Sequence, residues 1–427
     1  MQKQKRTTLK AYVQNWSAGI HNVMNQSEVV YSLRKTVAGA QVLTFRLRLA
    51  DAGKLNKVLN LGDQLALTLG ASAVRVARNL GYIDIEVALP GDLHRNLTVR
   101  SLKRKGRSWV NLGQTATGTP VHINLAGNRT CHALISGITG SGKTVCEQLI
   151  AWELAMGNEP GDAAMLLIDG KKGRAWWGFE RGAHLAHPVI KDTGEAIAAL
   201  TWCLAELDRR KTNGNKKKLY VVVDEAKELI DMGGDDVANA LGRLTALGRE
   251  LHIHVILATQ HPVVAAVGGS IAKANLPLRL TGMVADAGAA YNATGVKDSG
   301  AENLQGNGDF LLNVAGVVHR LQIAMLSNRE IGRLPRVEMV ERLDFGDYDL
   351  GRVLDVTEAV SKADALEPEH VAVALAHDRG INWLARELEI GSNKATRVRA
   401  FAQGVQAMLE NIGYAVVKNS HPMLPIE

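Results

Sequence analysis

From Gly137 to Thr144 the chain reads Gly-Ile-Thr-Gly-Ser-Gly-Lys-Thr, which fits G-x-x-x-x-G-K-[ST] without a mismatch. Glycines at those positions let successive backbone N–H groups turn toward one anion, and a helix that follows adds its positive end. Lys143 would reach the β- and γ-phosphates of ATP, and the Thr144 hydroxyl is a ligand for Mg²⁺. Gly137, Ile138, Thr139, Gly140, Ser141, Gly142, Lys143, Thr144 and Val145 are therefore the candidate nucleotide contacts. Roughly 80 residues on, the apolar run Leu219 to Val223 delivers Asp224 and Glu225. Asp224 would hold Mg²⁺ through water, and Glu225 would orient and deprotonate an attacking water. A further apolar run ends at Ala258-Thr259-Gln260, where the Gln260 amide would touch the γ-phosphate or that water.

These groups converge only if their strands lie side by side. From His132 to about Leu326 short apolar runs alternate with longer amphipathic segments, the pattern of parallel strands joined by crossover helices. The expected strands are 132–136, 164–168, 219–223 and 253–258, then 278–280 and a hairpin of 310–312 with 318–322. The first four end at polar or glycine-rich turns, where an open α/β sheet places its ligand. Val145, Leu149, Ile150 and Leu154 carry the helix after the glycine loop. Upstream, Val42 to Leu49 and Ile83 to Val87 alternate as strands around a helical stretch, Leu59 to Leu69, so a small α/β unit precedes the core. Arg100 to Arg107 reads as a connector, and the charged, glycine-punctuated stretch after Asn328 reads as a linker.

The 427 residues are 46% hydrophobic and 22% charged, which excludes a disordered chain. No apolar run is long enough to span a membrane, and the basic, polar start carries no export signal, so a cytoplasmic chain without a membrane anchor is expected. Cys131, Cys146 and Cys203 lack disulfide or zinc spacing. His252 and His254 lack a third ligand. A net charge of +7 favours a polyanionic partner.

The stretch Gly248-Arg249-Glu250-Leu251-His252-Ile253-His254-Val255-Ile256-Leu257-Ala258-Thr259-Gln260-His261-Pro262 resembles a motif of the FtsK/SpoIIIE family. Leu167 to Lys171, Ile271 to Arg279 and Gly300 to Leu311 resemble further family segments in the same order, as do Thr44 to Leu47, Ala73 to Val76 and Leu112 to Val121 upstream. The resemblance covers about residues 30 to 326. It implies an α/β fold with a RecA-like P-loop core, and a homo-hexameric ring that moves double-stranded DNA at the expense of ATP, each nucleotide lying between two subunits. By that resemblance Arg249 is the first choice for the arginine reaching a neighbour's γ-phosphate, with Arg279 second. The family's Arg after "ATQ" is His261 here, a weaker cation near neutral pH, and the Pro of its "LIDPK" segment is Gly170.

The division expected on this basis is a basic N-terminal arm (1–28), an α-like subdomain (29–125), the ATPase (126–330), a linker (331–364) and a winged-helix unit (365–427). Lys171, Lys172, His261 and Lys273 are the candidate phosphate contacts of the ring. In the tail, Ile381 to Arg399 has a helix-turn-helix layout resembling the family's γ domain, with Asn393, Lys394, Arg397 and Arg399 facing DNA. Two other readings fit parts of the pattern: a HerA-like helicase or conjugation coupling ATPase, and an ATP-gated DNA-binding regulator, which has no need of a base such as Glu225.

Overall fold

The computed structural model describes residues 2–79, 81–170 and 175–345. Lys171, Lys172, residues 365–427 with Asn393, Lys394, Arg397 and Arg399, expected as a winged helix, and the part of the expected linker from residue 346 lie outside the described residues.

The N-terminal part contains α1 (Gln2–Gln26), β1 (Tyr31–Ala38), β2 (Val42–Leu49), α2 (Leu55–Leu59), α3 (Gly62–Leu69), β3 (Val74–Asn79) and β4 (Tyr82–Ala88). Its strands form an antiparallel sheet in the order β1-β2-β4-β3. The segment expected as an arm is mostly α1: Trp16, Ile20, Val23 and Met24 recur at helical spacing and are buried with Phe45, Leu65 and Ile85. The Trp16 indole donates to the Leu69 carbonyl at 2.9 Å, fixing α1 to the end of α3. The early lysines and arginine that suggested an arm sit in its first turns, where a helix tolerates charge without losing its apolar stripe.

The larger sheet has nine strands. In chain order its part comprises β5 (Trp109–Thr115), β6 (Pro120–Asn124), β7 (Ala133–Ser136), α4 (Lys143–Gly157), β8 (Ala163–Asp169), α5 (Thr193–Asn213), β9 (Lys218–Asp224) and α6 (Ala226–Leu247). Then come β10 (Ile253–Thr259), α7 (Gly269–Ala274), β11 (Leu278–Thr281), α8 (Ala287–Thr294), β12 (Asp309–Val314), β13 (Val317–Ile323) and α9 (Asn328–Ile331). The order is β6-β5-β13-β12-β11-β7-β10-β9-β8. Strands β8, β9, β10, β7 and β11 are mutually parallel, and the rest are antiparallel. β10 is buried along its whole length, as a parallel strand covered on both faces must be. Residues 109–124, expected in the α-like subdomain, contribute to the large sheet, because β5 pairs with β13 and carries β6 with it.

A buried charge cluster joins the two sheets. Glu86 Oε2 accepts from Arg75 Nη1 at 2.9 Å and from Arg320 Nη1 at 3.0 Å, while Asp309 accepts from Arg320 Nε at 2.9 Å and Nη2 at 2.6 Å. Burial works against the Arg320 charge, yet Asp309 and Glu86 outweigh it and raise its pKa. Residues 331–345, expected as the start of a linker, are docked: the Phe345 ring lies 4.6 Å from that of His187, and Arg342 Nη2 donates to Glu195 Oε1 at 2.5 Å.

Behind β7 and β10 lie two buried histidines. His254 stacks on Tyr220 at 5.1 Å, and its Nδ1 is 3.1 Å from the Cys131 carbonyl; His132 Nδ1 accepts from the Val255 N–H at 3.0 Å. Burial above all, helped by Arg249 for His132 and by His132 for His254, pushes their pKa values down to about 4 and about 3. An unfolded histidine titrates near about 6.5, so below that pH the unfolded chain binds the extra protons and stability falls with pH until the folded values are reached. Acidification from pH 7 to 5 is expected to lower the urea midpoint, each ring contributing about 1 kcal/mol per pH unit once below 6.5. The slope should be shallower in His254→Asn, and a midpoint flat across that range would contradict neutral buried rings.

Candidate nucleotide site

The strand order puts the C-terminal ends of β7, β9 and β10 side by side, and the candidate chemistry sits on those ends. The glycine loop leaves β7 at Ser136 and enters α4 at Lys143. Two of its glycines are dictated by contact. A Cβ on Gly137 (φ 153°) would lie 2.6 Å from Ser141 Oγ, and one on Gly142 (φ 99°) would lie 2.7 Å from the Gly308 nitrogen. That approach is used: the Gly308 N–H donates to the Ser141 carbonyl at 2.8 Å, and the Asn307 N–H to the Gly140 carbonyl at 2.9 Å. The loop is thus clamped by the turn before β12, which in turn is held by the Gln41 and Gln322 side chains, both donating to the Asn307 carbonyl at 3.1 and 2.9 Å.

Lys143 is buried among carboxylates. Its Nζ lies 2.6 Å from Asp224 Oδ1, 3.4 Å from Glu147 Oε1 and 3.6 Å from Glu225 Oε2. Burial by itself would discharge the ammonium, but Glu147, Asp224 and Glu225 together overcome it and raise its pKa. Asp224 Oδ2 is buried without a hydrogen-bond partner. That orphaned oxygen fits the water shell of a divalent cation. Among the described residues no cluster of three or more His, Cys, Asp or Glu is arranged to hold a metal, so Mg²⁺ would rest on Thr144, on water held by Asp224 and on phosphate oxygens, its usual mode.

Glu225 caps α6 with a left-handed backbone, φ 56° and ψ 59°, a conformation that costs a residue with a Cβ about 1 kcal/mol or more. Its Oε1 accepts from the Gln260 backbone N–H at 3.1 Å and lies 3.4 Å from the Thr259 hydroxyl. The carboxylate therefore spans from the phosphate-loop lysine to the end of β10. A cleft of about 410 Å³ opens beside it, lined by Ile138, Thr139, Gly140, Gly142 to Val145, Gln260, Asn307, Gly308, Ile323 and Met325, a volume in the range of small-molecule sites.

The structure thus brings together the whole glycine loop, Lys143, Thr144, Asp224, Glu225 and Gln260. The two arginines stand apart. Arg249 is exposed, 3.3 Å from Glu250, and precedes β10, whereas Gln260 follows it; seven strand residues separate the two edges of the sheet by roughly 20 Å. Arg279 lies near the start of β11, half-buried, and donates to the Lys273 and Leu276 carbonyls at 3.3 and 3.4 Å. Lys273, expected to approach DNA, has its Nζ 3.1 Å from the Pro262 carbonyl and 3.4 Å from Asn292 Oδ1, and burial lowers its pKa. His261 is exposed. Sequence reasoning missed Glu147, Thr259, Asn307 and Met325. The first had a signal, its four-residue spacing from Lys143 along a helix; the others come from turns and strand ends that only the fold makes neighbours.

Residues 94–216 match the model of the FtsK/SpoIIIE family, and residues 1–90 match the FtsK alpha domain. Similar proteins include "DNA translocase FtsK" of Borreliella burgdorferi, 27% identical over 94% of this chain and 54% of that protein. "DNA translocase FtsK" of Treponema pallidum is 31% identical over 84% and 49%, and "DNA translocase SftA" of Bacillus subtilis 31% over 84% and 41%. The chain therefore spans about half the length of the curated relatives it matches. Among solved structures, the pCW3 conjugation coupling protein TcpA, in monomer form with ATPγS, superposes with a TM-score of 0.50 at 20% identity over 75% of this chain and 96% of that one. The cytoplasmic domain of the Thermomonospora curvata type VII secretion ATPase EccC gives 0.52 at 20% over 58% and 36%. These likenesses to solved structures establish a shared fold.

Removing the cation from the carboxylate cluster should be costly even without nucleotide. Lys143→Met is expected to lower unfolding stability by about 3 kcal/mol, measured from urea midpoints, and Glu147→Gln to cost less because it relieves negative charge. A Lys143→Met chain as stable as the parent would show that the cluster is not ionised as described.

Proposed function

We propose, from the premise that this chain is of FtsK/SpoIIIE type, that it is an ATPase whose RecA-like core couples ATP hydrolysis to movement along double-stranded DNA. The observation that carries the reading is the joint position of Asp224 and Glu225, both within 3.6 Å of the buried ammonium of Lys143, a residue that lines the glycine-loop cleft. A nucleotide switch that merely binds has no use for a strained glutamate aimed at that point.

In this reading the loop amides and the α4 N-terminus bind the phosphates, and Lys143 shares its hydrogens between Asp224 and the γ-phosphate. Mg²⁺, when bound, supplies positive charge to the β- and γ-phosphate oxygens. Glu225 accepts a proton from the attacking water, and the Gln260 side chain, which lines the cleft, reports the γ-phosphate to the loop beyond it. Arg249, exposed at the opposite sheet edge, serves a neighbouring subunit's nucleotide within a closed homo-hexamer; Arg279 is half-buried against backbone carbonyls and is the weaker choice. The duplex passes the loops after β8 and β10, with Lys171, Lys172 and His261 at its phosphates and the 365–427 winged helix as a second DNA contact. Lys273 braces the His261 loop. Contacts of this kind are blind to sequence. Among the described residues no helix is long and apolar enough to cross a membrane, and a cytoplasmic motor is the reading adopted.

A second reading, favoured by the likeness of fold to TcpA along 96% of that chain, is a coupling ATPase for conjugative transfer. Movement that is lost when one strand is nicked or removed would identify it.

Steady-state ATPase activity should rise several-fold on adding long linear duplex, and Glu225→Gln should lower the stimulated rate by about 10²- to 10⁴-fold while still binding nucleotide. Lys143→Ala should abolish triplex-strand displacement. Arg249→Ala should cost about 10³-fold or more in turnover yet leave nucleotide binding intact. A stimulated rate in Glu225→Gln equal to that of the parent, or displacement by Lys143→Ala, would refute the assignment.

A further inference from the structure

Thr259 is the last residue of β10 and is fully buried. Its Oγ1 accepts from the His261 backbone N–H at 3.0 Å, and its one hydrogen has two acceptors at the same distance: Glu225 Oε1 and the His261 carbonyl, each at 3.4 Å. Hydroxyl hydrogen bonds settle near about 2.7–2.8 Å, so the hydrogen is committed to neither. A displacement of a few tenths of an ångström in the His261 backbone decides which acceptor gets it. The far side of that loop is tethered by Lys273 Nζ on the Pro262 carbonyl at 3.1 Å, and His261 itself is exposed. The loop thus has an outward face for a phosphate chain and an inward hydrogen bond one residue from the base.

We propose that Thr259 is a positioning residue for Glu225, whose hydroxyl hands its hydrogen to the carboxylate when the His261 loop is engaged by duplex phosphates and withdraws it when the loop is free. The Gln260 N–H, donating to the same Oε1 at 3.1 Å, supplies one fixed bond; Thr259 supplies the second, conditional one. Two donors on Oε1, with the Lys143 ammonium 3.6 Å from Oε2, set the rotation of the carboxyl group for the attacking water, whereas withdrawal of the Thr259 donor removes one of those restraints. The inference rests on Glu225 being the base, and it makes DNA stimulation a change in kcat rather than in nucleotide affinity.

The test uses the full chain with Thr259→Val, Thr259→Ala and Thr259→Ser, each assayed for binding of a fluorescent ATP analogue and for ATPase activity with and without linear duplex. The expected result is analogue affinity and KM for ATP within about twofold of the parent in all three. DNA-stimulated kcat should fall about tenfold in the Val and Ala chains, and Ser should restore it. Thr259→Ala is smaller than the native residue and decides the matter alone if Thr259→Val does not fold. An unchanged stimulation ratio in a hydroxyl-free chain that binds the analogue overturns the inference while leaving the proposed activity standing. A parent chain that ignores duplex overturns both. A loss through KM alone also overturns it, because a merely structural role would loosen the nucleotide site without separating kcat from KM.

Discussion

A single ammonium among three buried carboxylates is the constraint around which this molecule is arranged. Lys143 lies at the first residue of α4, Asp224 and Glu225 at the end of β9, and Glu147 one turn along α4. None of these charges is tolerable alone in that environment, since an unpaired buried ion costs several kcal/mol. Meeting at one point requires β7 and β9 to stand one strand apart with β10 between them, which is the order observed. The one cation is thus what lets three carboxylates share a buried site, and any change at Lys143 is felt by all of them.

The parallel strands and the glycine loop with its neighbouring carboxylates were legible in the sequence because their signals are local. A glycine loop between an apolar run and an amphipathic run, and acidic residues at the end of another run, need no knowledge of the fold; β2, β8, β9 and β10 emerge within a residue or two of the apolar runs that announced them. What stayed hidden depended on distance along the chain. Trp16 to Met24 looked like part of a basic arm until the four-stranded sheet supplied a surface for their apolar stripe. The Asn307–Gly308 turn carries no motif of its own and matters because it touches the glycine loop across more than 160 residues. Lys273 illustrates the converse. Its type and position suited a phosphate contact, but a lysine stem long enough to reach solvent is also long enough to fold onto a nearby carbonyl, and the Pro262 oxygen won.

Geometry also separates two kinds of arginine that sequence treats alike. Arg249 is solvent-facing with a weak exposed partner, and so is free to serve another surface at little cost. Arg279 is half-buried with its Nε and one terminal nitrogen on backbone carbonyls, and burial lowers its pKa; recruiting those groups would first break the bonds.

The cluster of Arg75, Glu86, Asp309 and Arg320 is shared between the four-stranded and nine-stranded sheets, with Arg75 also donating to the Ser299 carbonyl at 2.7 Å. Expression boundaries follow from it. A fragment cut between residues 90 and 94, where the two family-model matches part, would leave Arg75 and Glu86 on one piece and Asp309 and Arg320 on the other, each pair stripped of its counterpart and opened to water. Chimaeras assembled from two relatives at that junction would inherit the same fault unless both donors supplied the quartet together. The unit of exchange in this architecture is accordingly the joined pair of sheets, and the seam that looks most convenient to a molecular biologist is the one that the buried charges forbid.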